Sequence, residues 1–166
     1  YKLAPDGLSW PDIVADLLGT PRTATVARET KETRINVQLN LDASSPLHID
    51  TGIGFFDHML EQLGKHAGIA LQVECKGDTH IDEHHTVEDC GIAIGQAFKR
   101  ALGDKFGIAR YGFSLPMDEA SAGVLLDISN RGYFQFKGSF PREAVGTLPT
   151  ELVPHFFQSF SEAAGF

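Results

Sequence analysis

Residues 82–103 read DEHHTVEDCGIAIGQAFKRALG and carry the strongest helix pattern in the chain. Small and apolar side chains recur at helical spacing over residues 86–102, and Gly103 ends the pattern. The recurring residues are Val87, Cys90, Gly91, Ile94, Ala97, Phe98, Ala101 and Leu102. The spacing predicts an amphipathic helix with one buried face, headed by a dense polar cluster.

The segments before this helix predict a strand and a second helix. Residues 33–41 alternate between apolar and polar side chains, which is typical of a half-buried antiparallel strand. A short extended segment at residues 47–50 is expected to pair with it. Asp57 is expected to cap a helix that ends near His66, with Gly68 as its stop. Its inward residues are predicted to be Met59, Leu60 and Leu63.

The remaining pattern mixes strands and helices. Further strands are predicted at residues 69–75, 122–128 and 133–137, and a last helix begins near Pro154. A short helix is also predicted after Trp10. Alternating strands mixed with amphipathic helices predict the α+β class.

The helix at residues 57–69 has a counterpart at residues 154–166. Each copy contains a histidine, two apolar residues, two polar residues and another apolar residue, and each ends in Ala-Gly before an apolar residue. A duplicated half-domain explains the match, and chance similarity between two amphipathic helices is the alternative. With duplication, the second copy is incomplete, since its counterpart of His84 and His85 would fall beyond Phe166.

The composition limits the class of protein. The 166 residues are 42% apolar and 22% charged, with a net charge of −8, which is typical of one globular domain. An acidic chain repels phosphate backbones, so we expect no nucleic-acid partner. No apolar run approaches the roughly 20 residues of a membrane helix. The two cysteines are expected to be reduced, and we predict a cytoplasmic protein with no membrane partner.

The polar cluster at residues 82–89 suggests metal chemistry. It combines two imidazoles with four carboxylates at the start of the predicted helix. His84 and Glu88 are four residues apart and share one helical face, while His85 is rotated by about 100°. Adjacent histidines therefore suit two metal ions better than one. Nitrogen and oxygen ligands without thiolates suit manganese, iron or zinc.

A charged, solvated helix N-terminus with two surface histidines would give the same local pattern. Glu88 favours the metal interpretation, as do His58 and His155, which hold equivalent places in the repeated helices. The other histidines have no partner at ligand spacing and are predicted to be structural: His48, His66 and His80.

Two arginines are candidate anion ligands. Arg110 follows Gly107-Ile108-Ala109, and Arg131 lies between two predicted strands. Lone arginines are more often solvated surface residues, so the residues alone leave both alternatives open.

Several motifs together resemble the imidazoleglycerol-phosphate dehydratase family of histidine biosynthesis. They are RETKET at 28–33, GFFDHML at 54–60, KGD at 76–78, DEHHTVED at 82–89, PMDEA at 116–120, LDISNR at 126–131 and ELVPHFF at 151–157. The most specific is His-His-Thr-x-Glu-Asp following Gly-Asp. The resemblance covers about residues 26–166.

The resemblance implies a duplicated α+β fold in which helices pack against antiparallel or mixed four-stranded sheets, as in the ribosomal protein S5 domain 2-like architecture. It implies a homo-oligomer, with trimers assembled into a 24-subunit shell, and an active site between subunits that holds two Mn²⁺ ions. It also implies that residues 1–24 are a linker or the tail of a preceding phosphatase domain, and that residues 25–166 are the dehydratase domain of a bifunctional protein.

The implied reaction is dehydration of imidazoleglycerol phosphate to imidazoleacetol phosphate. By motif match the metal ligands would be His58, His84, His85, Glu88 and His155. Glu32 would contact the substrate's imidazole and would be catalytic together with Glu88. Arg110 and Arg131 would bind the substrate's phosphate.

Two functional classes remain open at this stage. The histidine–carboxylate cluster would serve catalysis, or it would only organise a non-catalytic oligomeric assembly. The family's second His-His-x-x-Glu motif is expected about 15 residues after Phe166, by extension of the repeat. Asn130 and Pro154 depart from the family, which often has Gly and Glu there.

Overall fold

A computed structural model describes residues 7, 9–19, 21–105, 107–112, 115–117 and 119–166. The helices are α1 (Trp10–Leu18), α2 (Gly54–Ala67), α3 (His84–Leu102) and α4 (Leu152–Ala164). The main strands are β1 (Thr23–Glu29), β2 (Thr33–Asn40), β3 (Leu47–Asp50) and β4 (Ala70–Gly77). The shorter strands are β5 (Tyr111–Gly112), β6 (Leu115–Met117), β7 (Ala120–Ala122), β8 (Leu126–Asp127), β9 (Ala144–Val145) and β10 (Leu148–Pro149).

The main sheet has the strand order β1-β2-β4-β3. β2 is antiparallel to both β1 and β4, and β3 is parallel to β4. The alternation predicted for β2 is confirmed, since Ile35, Val37 and Leu39 are buried. The expected pairing of residues 47–50 with this strand is wrong, because both edges of β2 are occupied by β1 and β4.

Helix α3 lies between the sheet and α4, with contacts to both layers. Its buried side chains include Val87, Cys90 and Ile94, which join the core formed by the sheet. The face of α3 that contacts α4 carries Gly91 and Gly95. A Cβ added to these glycines would lie 2.9 Å and 2.6 Å, respectively, from backbone carbonyl oxygens of α4. The absence of side chains there lets the two helices pack closely.

Helix α2 begins three residues before the predicted start. Asp57 lies in its first turn, where its carboxylate accepts hydrogen bonds from the Thr51 backbone N–H and hydroxyl. The stop at Gly68 is confirmed, in a left-handed conformation with φ of 66°. The inward placement of Met59 and Leu63 is wrong, since both are exposed and the helix buries Phe56, Leu60 and Gly64 instead.

The second half of the chain carries short strand pairs and α4. The predicted strand at 122–128 is interrupted between β7 and β8, and residues 133–137 form no strand. Leu125 is 96% exposed and Tyr133 is 78% exposed, so neither apolar side chain anchors its segment to a core. α4 begins at Leu152, two residues before the predicted start, and ends like α2 at a left-handed glycine.

The repeated motif corresponds to two helices that both end at a left-handed glycine. The predicted α+β class is confirmed. Cys75 and Cys90 are free thiols in the core. No helix among the described residues is long and apolar enough to cross a membrane.

Candidate active site

The first turn of α3 presents the polar cluster. The Asp82 carboxylate accepts the His84 backbone N–H at 2.6 Å and so satisfies an unpaired amide at the helix start. The helix consequently places His84 and Glu88 on one face, with 3.5 Å between His84 Nε2 and Glu88 Oε2. Both side chains are partly exposed, so their nitrogen and oxygen atoms are accessible to an ion.

Helix α4 brings a third side chain to this face. The His155 ring lies 4.9 Å from the His84 ring, measured between centroids. This contact depends on the close α3–α4 packing, because the two histidines belong to different helices. His84 thus has Glu88 beside it on its own helix and His155 beside it from α4, at the N-terminal ends of the paired helices.

His85 points in a different direction, as its rotation on the helix predicts. Its Nδ1 lies 3.5 Å from Asp78 Oδ2, just after β4. The other carboxylate oxygen, Asp78 Oδ1, is buried and has no hydrogen-bond partner. A carboxylate facing one imidazole nitrogen is a common way to orient a histidine so that its other nitrogen is free for a metal.

Glu32 is tied to this arrangement through its backbone. It lies in the turn between β1 and β2, and its carbonyl oxygen accepts the Asp78 backbone N–H at 3.1 Å. The hairpin turn, the end of β4 and the start of α3 therefore meet at one end of the molecule.

His58 lies on α2 rather than on the paired helices α3 and α4. It is exposed on α2, with its ring 6.4 Å from Phe55 of the same helix. Among the described residues, no three His, Cys, Asp or Glu side chains are grouped closely enough to hold a metal ion.

The two candidate phosphate ligands lie together in a second region. Arg110 forms a bidentate ion pair with Asp127, at 2.6 Å from Nε to Oδ1 and 3.1 Å from the terminal nitrogen to Oδ2. The hydrogen bond from Arg110 lowers the pKa of Asp127, and the charge of Arg131 contributes in the same direction.

A lysine that the sequence pattern did not single out supports the Arg131 turn. Lys105 Nζ donates to Asn130 Oδ1 at 2.7 Å and to the Ile128 carbonyl at 3.2 Å. The backbone of Asn130, within this turn, is in the left-handed conformation, with φ of 66°. Desolvation, and then repulsion from neighbouring cations including Arg110, lowers the pKa of Lys105. We call Lys105, Arg110 and Arg131 the basic patch.

The histidine group and the basic patch lie at opposite ends of α3. His84 is the first residue of the helix, whereas Lys105 follows its C-terminus. A helix of 19 residues spans about 28 Å. The same separation holds along α4. The Asn130 N–H donates to the carbonyl of Gly165 at the C-terminal end of α4, whereas His155 lies near the start of that helix.

Fold and site together define an α+β protein with histidines and carboxylates at one end of two paired helices and a basic patch at the other. The family model described as imidazoleglycerol-phosphate dehydratase matches residues 51–166. The chain belongs to the imidazoleglycerol-phosphate dehydratase family.

Curated relatives agree with this membership. The chain is 61% identical over 156 residues to the histidine biosynthesis bifunctional protein HisB of Stenotrophomonas maltophilia (strain K279a), covering 94% of this chain and 44% of that protein. It is 53% identical over 174 residues to HisB of Xanthomonas campestris pv. campestris (strain B100), covering 94% of this chain and 46% of that protein. The chain therefore spans less than half the length of these relatives.

Solved structures also share the fold. The imidazoleglycerol-phosphate dehydratase of Staphylococcus aureus subsp. aureus N315 matches with a TM-score of 0.76 and 40% identity, over 86% of this chain and 79% of that one. The enzyme of Pyrococcus furiosus in complex with (S)-C348 matches with a TM-score of 0.71 and 30% identity, over 84% and 74%.

Proposed function

We propose that the protein containing this chain dehydrates imidazoleglycerol phosphate to imidazoleacetol phosphate in histidine biosynthesis. The observation that carries this proposal is that His84, at the start of α3, lies beside both Glu88 and His155 in a member of this family. We further propose that residues 25–166 belong to the dehydratase domain, and that residues 1–24 are a linker or the tail of a phosphatase domain.

The donor atoms fit the manganese that we propose as cofactor. Imidazole nitrogens and carboxylate oxygens suit Mn²⁺, and the free thiols Cys75 and Cys90 are buried in the core rather than at this cluster. The residues that would hold two Mn²⁺ ions are His58, His84, His85, Glu88 and His155. When bound, the metal would withdraw electrons from the substrate's imidazole ring and make the adjacent C–H more acidic.

The chain's own residues supply proton transfer and positioning. Glu32 and Glu88 are the carboxylates for proton transfer, and Glu32 is the better candidate for removing the carbon-bound proton because Glu88 faces His84. The departing hydroxyl takes up a proton and leaves as water. Arg110 and Arg131 would bind the phosphate and hold the reacting carbon in place.

The separation of the two regions supports an active site shared between subunits. A substrate with an imidazole ring, three carbons and a phosphate is much shorter than α3, so it cannot reach the His84 group and the basic patch of one chain together. We propose that one subunit supplies metal ligands and another supplies phosphate ligands, in a cytoplasmic homo-oligomer built of trimers, as in the family's 24-subunit shell.

The test compares metal-free and manganese-loaded full-length protein. Water loss from imidazoleglycerol phosphate should depend on Mn²⁺, and light scattering should report the assembly state of both samples. Manganese-dependent assembly without turnover would instead support the alternative function, a non-catalytic metal-organised assembly module.

A further inference from the structure

A buried carboxylate next to the candidate metal ligands joins α3 to the hairpin that carries Glu32. Asp89 follows Glu88 on α3 but points inward and is only 8% exposed. Its Oδ1 accepts two hydrogen bonds from Arg28 of β1, at 2.9 Å and 2.6 Å. Its Oδ2 accepts the hydroxyl of Thr33 of β2. The charge is therefore paired and hydrogen-bonded, as a buried carboxylate requires.

The carboxylate also fixes the direction of the hydroxyl hydrogen bonds. A carboxylate only accepts, so the Thr33 hydroxyl must donate its single proton to Asp89. The Thr30 hydroxyl then donates either to Thr33 Oγ1, at 3.0 Å, or to Asp89 Oδ2, at 3.3 Å. In both cases its two lone pairs remain as acceptors.

Those lone pairs hold the backbone at Glu32. Thr30 Oγ1 accepts the N–H of Glu32 at 3.2 Å and the N–H of Thr33 at 3.0 Å. On its other side, the carbonyl of Glu32 accepts the N–H of Asp78. The backbone of Glu32 is thus fixed on both sides, once through Thr30 and once through the end of β4.

We infer that Asp89 is a positioning residue that sets the place of Glu32 relative to the ligand face of α3. The inference rests on the proposed function, in which Glu32 acts on the substrate. Asparagine cannot replace Asp89, because its amide has one accepting oxygen and one donating nitrogen. If the oxygen faces Arg28, the NH₂ group faces the Thr33 hydroxyl, which loses the oxygen that accepts its proton. The Thr30 hydroxyl offers no replacement, because its lone pairs already accept the amides of Glu32 and Thr33.

The test uses the full-length protein and a matched control. Asp89→Asn is compared with Asp42→Asn, which weakens the exposed Arg22–Asp42 pair at the far end of the same hairpin. Asp89→Asn should lower kcat roughly 10- to 100-fold with little change in KM, because a small misplacement of a reacting group slows the chemical step. Amide hydrogen exchange at Glu32 and Thr33 should accelerate, while Mn²⁺ affinity measured by calorimetry should change only a few-fold. Asp42→Asn should leave all of these unchanged.

Two further variants separate positioning from general support of the fold. Thr33→Ser keeps the donating hydroxyl and should retain turnover, whereas Thr33→Val removes it and should behave like Asp89→Asn. In a Glu32→Gln background, Asp89→Asn should cause no further loss of kcat, because both changes act through one residue. If Asp89→Asn does not fold, the comparison of Thr33→Ser with Thr33→Val tests the inference in its place.

The inference is overturned if amide exchange at Glu32 is unchanged in Asp89→Asn, or if the loss of kcat is as large in the Glu32→Gln background as in the wild type. Absence of turnover in the manganese-loaded wild type would refute the proposed function instead. The exchange data would then still decide whether Asp89 orders the Glu32 backbone.

Discussion

The imidazole rings of His84 and His155 lie 4.9 Å apart, although each belongs to the start of a different helix. The close approach of α4 to Gly91 and Gly95 of α3 brings the two rings together. The packing of two helices and the geometry of the candidate metal site are therefore coupled.

Replacing either ring should weaken the binding of manganese. In the full-length protein, His155→Ala and His84→Ala should each reduce Mn²⁺ affinity and abolish turnover, because an incomplete ligand shell holds the ion poorly. His66→Ala is the control, since this histidine is exposed in the last turn of α2 and is predicted to be structural. Elemental analysis and calorimetry provide the measurement. Unchanged metal content in His155→Ala would show that His155 is a surface residue that does not bind the metal.

The α3–α4 contact should be intolerant of added volume. In Gly95→Ala the new Cβ would lie 2.6 Å from the Phe160 carbonyl oxygen and 2.9 Å from the Ala163 Cβ. We expect a loss of about 1–3 kcal/mol in the free energy of unfolding, typical of overpacking. Gly54→Ala is the matched control, because its Cβ would meet no atom within 4 Å. Denaturant unfolding of both variants measures the difference, and equal midpoints would contradict the tight contact.

The proposed sharing of the active site predicts complementation between variants. His85→Ala should be nearly inactive alone, and Arg131→Ala should turn over slowly when the substrate is well below KM, because each lacks one half of every site. Mixed oligomers reassembled from both should recover turnover, since some interfaces would pair an intact metal region with an intact basic patch. Mixing His84→Ala with His85→Ala is the control and should recover less, because both changes affect the same region. Equal recovery of turnover in the two mixtures would argue against an active site shared between subunits.

Arg131 should act mainly on phosphate binding. A charge-assisted hydrogen bond typically contributes about 1.5–3 kcal/mol, so Arg131→Ala should lower kcat/KM roughly 10- to 150-fold, chiefly through KM. Arg131→Lys should recover only part of this, because lysine lacks the planar guanidinium. A substrate analogue without phosphate is the control, and both proteins should process it equally. An equal defect on both substrates would show that Arg131 supports the fold or a subunit contact.

The carboxyl group of Asp127 should titrate below its usual pKa. The hydrogen bond from Arg110 lowers this pKa, so the ion pair stabilises the folded chain above the unfolded pKa of about 4 and is lost as the pH falls through the folded value. Because both side chains are exposed, the effect on stability should be small. Carbon-detected NMR titration should show the Asp127 pKa rising in Arg110→Ala and unchanged in Arg34→Ala. An unshifted pKa in Arg110→Ala would contradict the ion pair.

Local features were predictable because they depend on residues close together in the chain. The alternation in β2 identifies its buried face, since successive side chains of a strand point to opposite sides. The four-residue spacing of His84 and Glu88 predicts their common face once a helix is assumed. The left-handed glycine at 68 follows from a local stop signal.

Partners distant in sequence were not predictable from the same patterns. Residues 47–50 pair with β4 rather than β2, because a strand has two edges and the order of the sheet decides which strands fill them. Met59 and Leu63 are apolar yet exposed, because helical spacing alone does not say which of two apolar stripes meets the core. Asp89 belongs to a polar run but is buried, and only Arg28 and Thr33 on the opposing strands explain why.

The sequence by itself thus determined the element types, the α+β class and, through its motifs, the family. Tertiary structure decided that His155 joins His84, that Arg110 pairs with Asp127, and that the histidine group and the basic patch lie at opposite ends of α3. The physical reason is the range of the interactions. Periodicity and capping act within one or two turns, whereas the meeting of these side chains depends on helix packing and strand order across the whole domain.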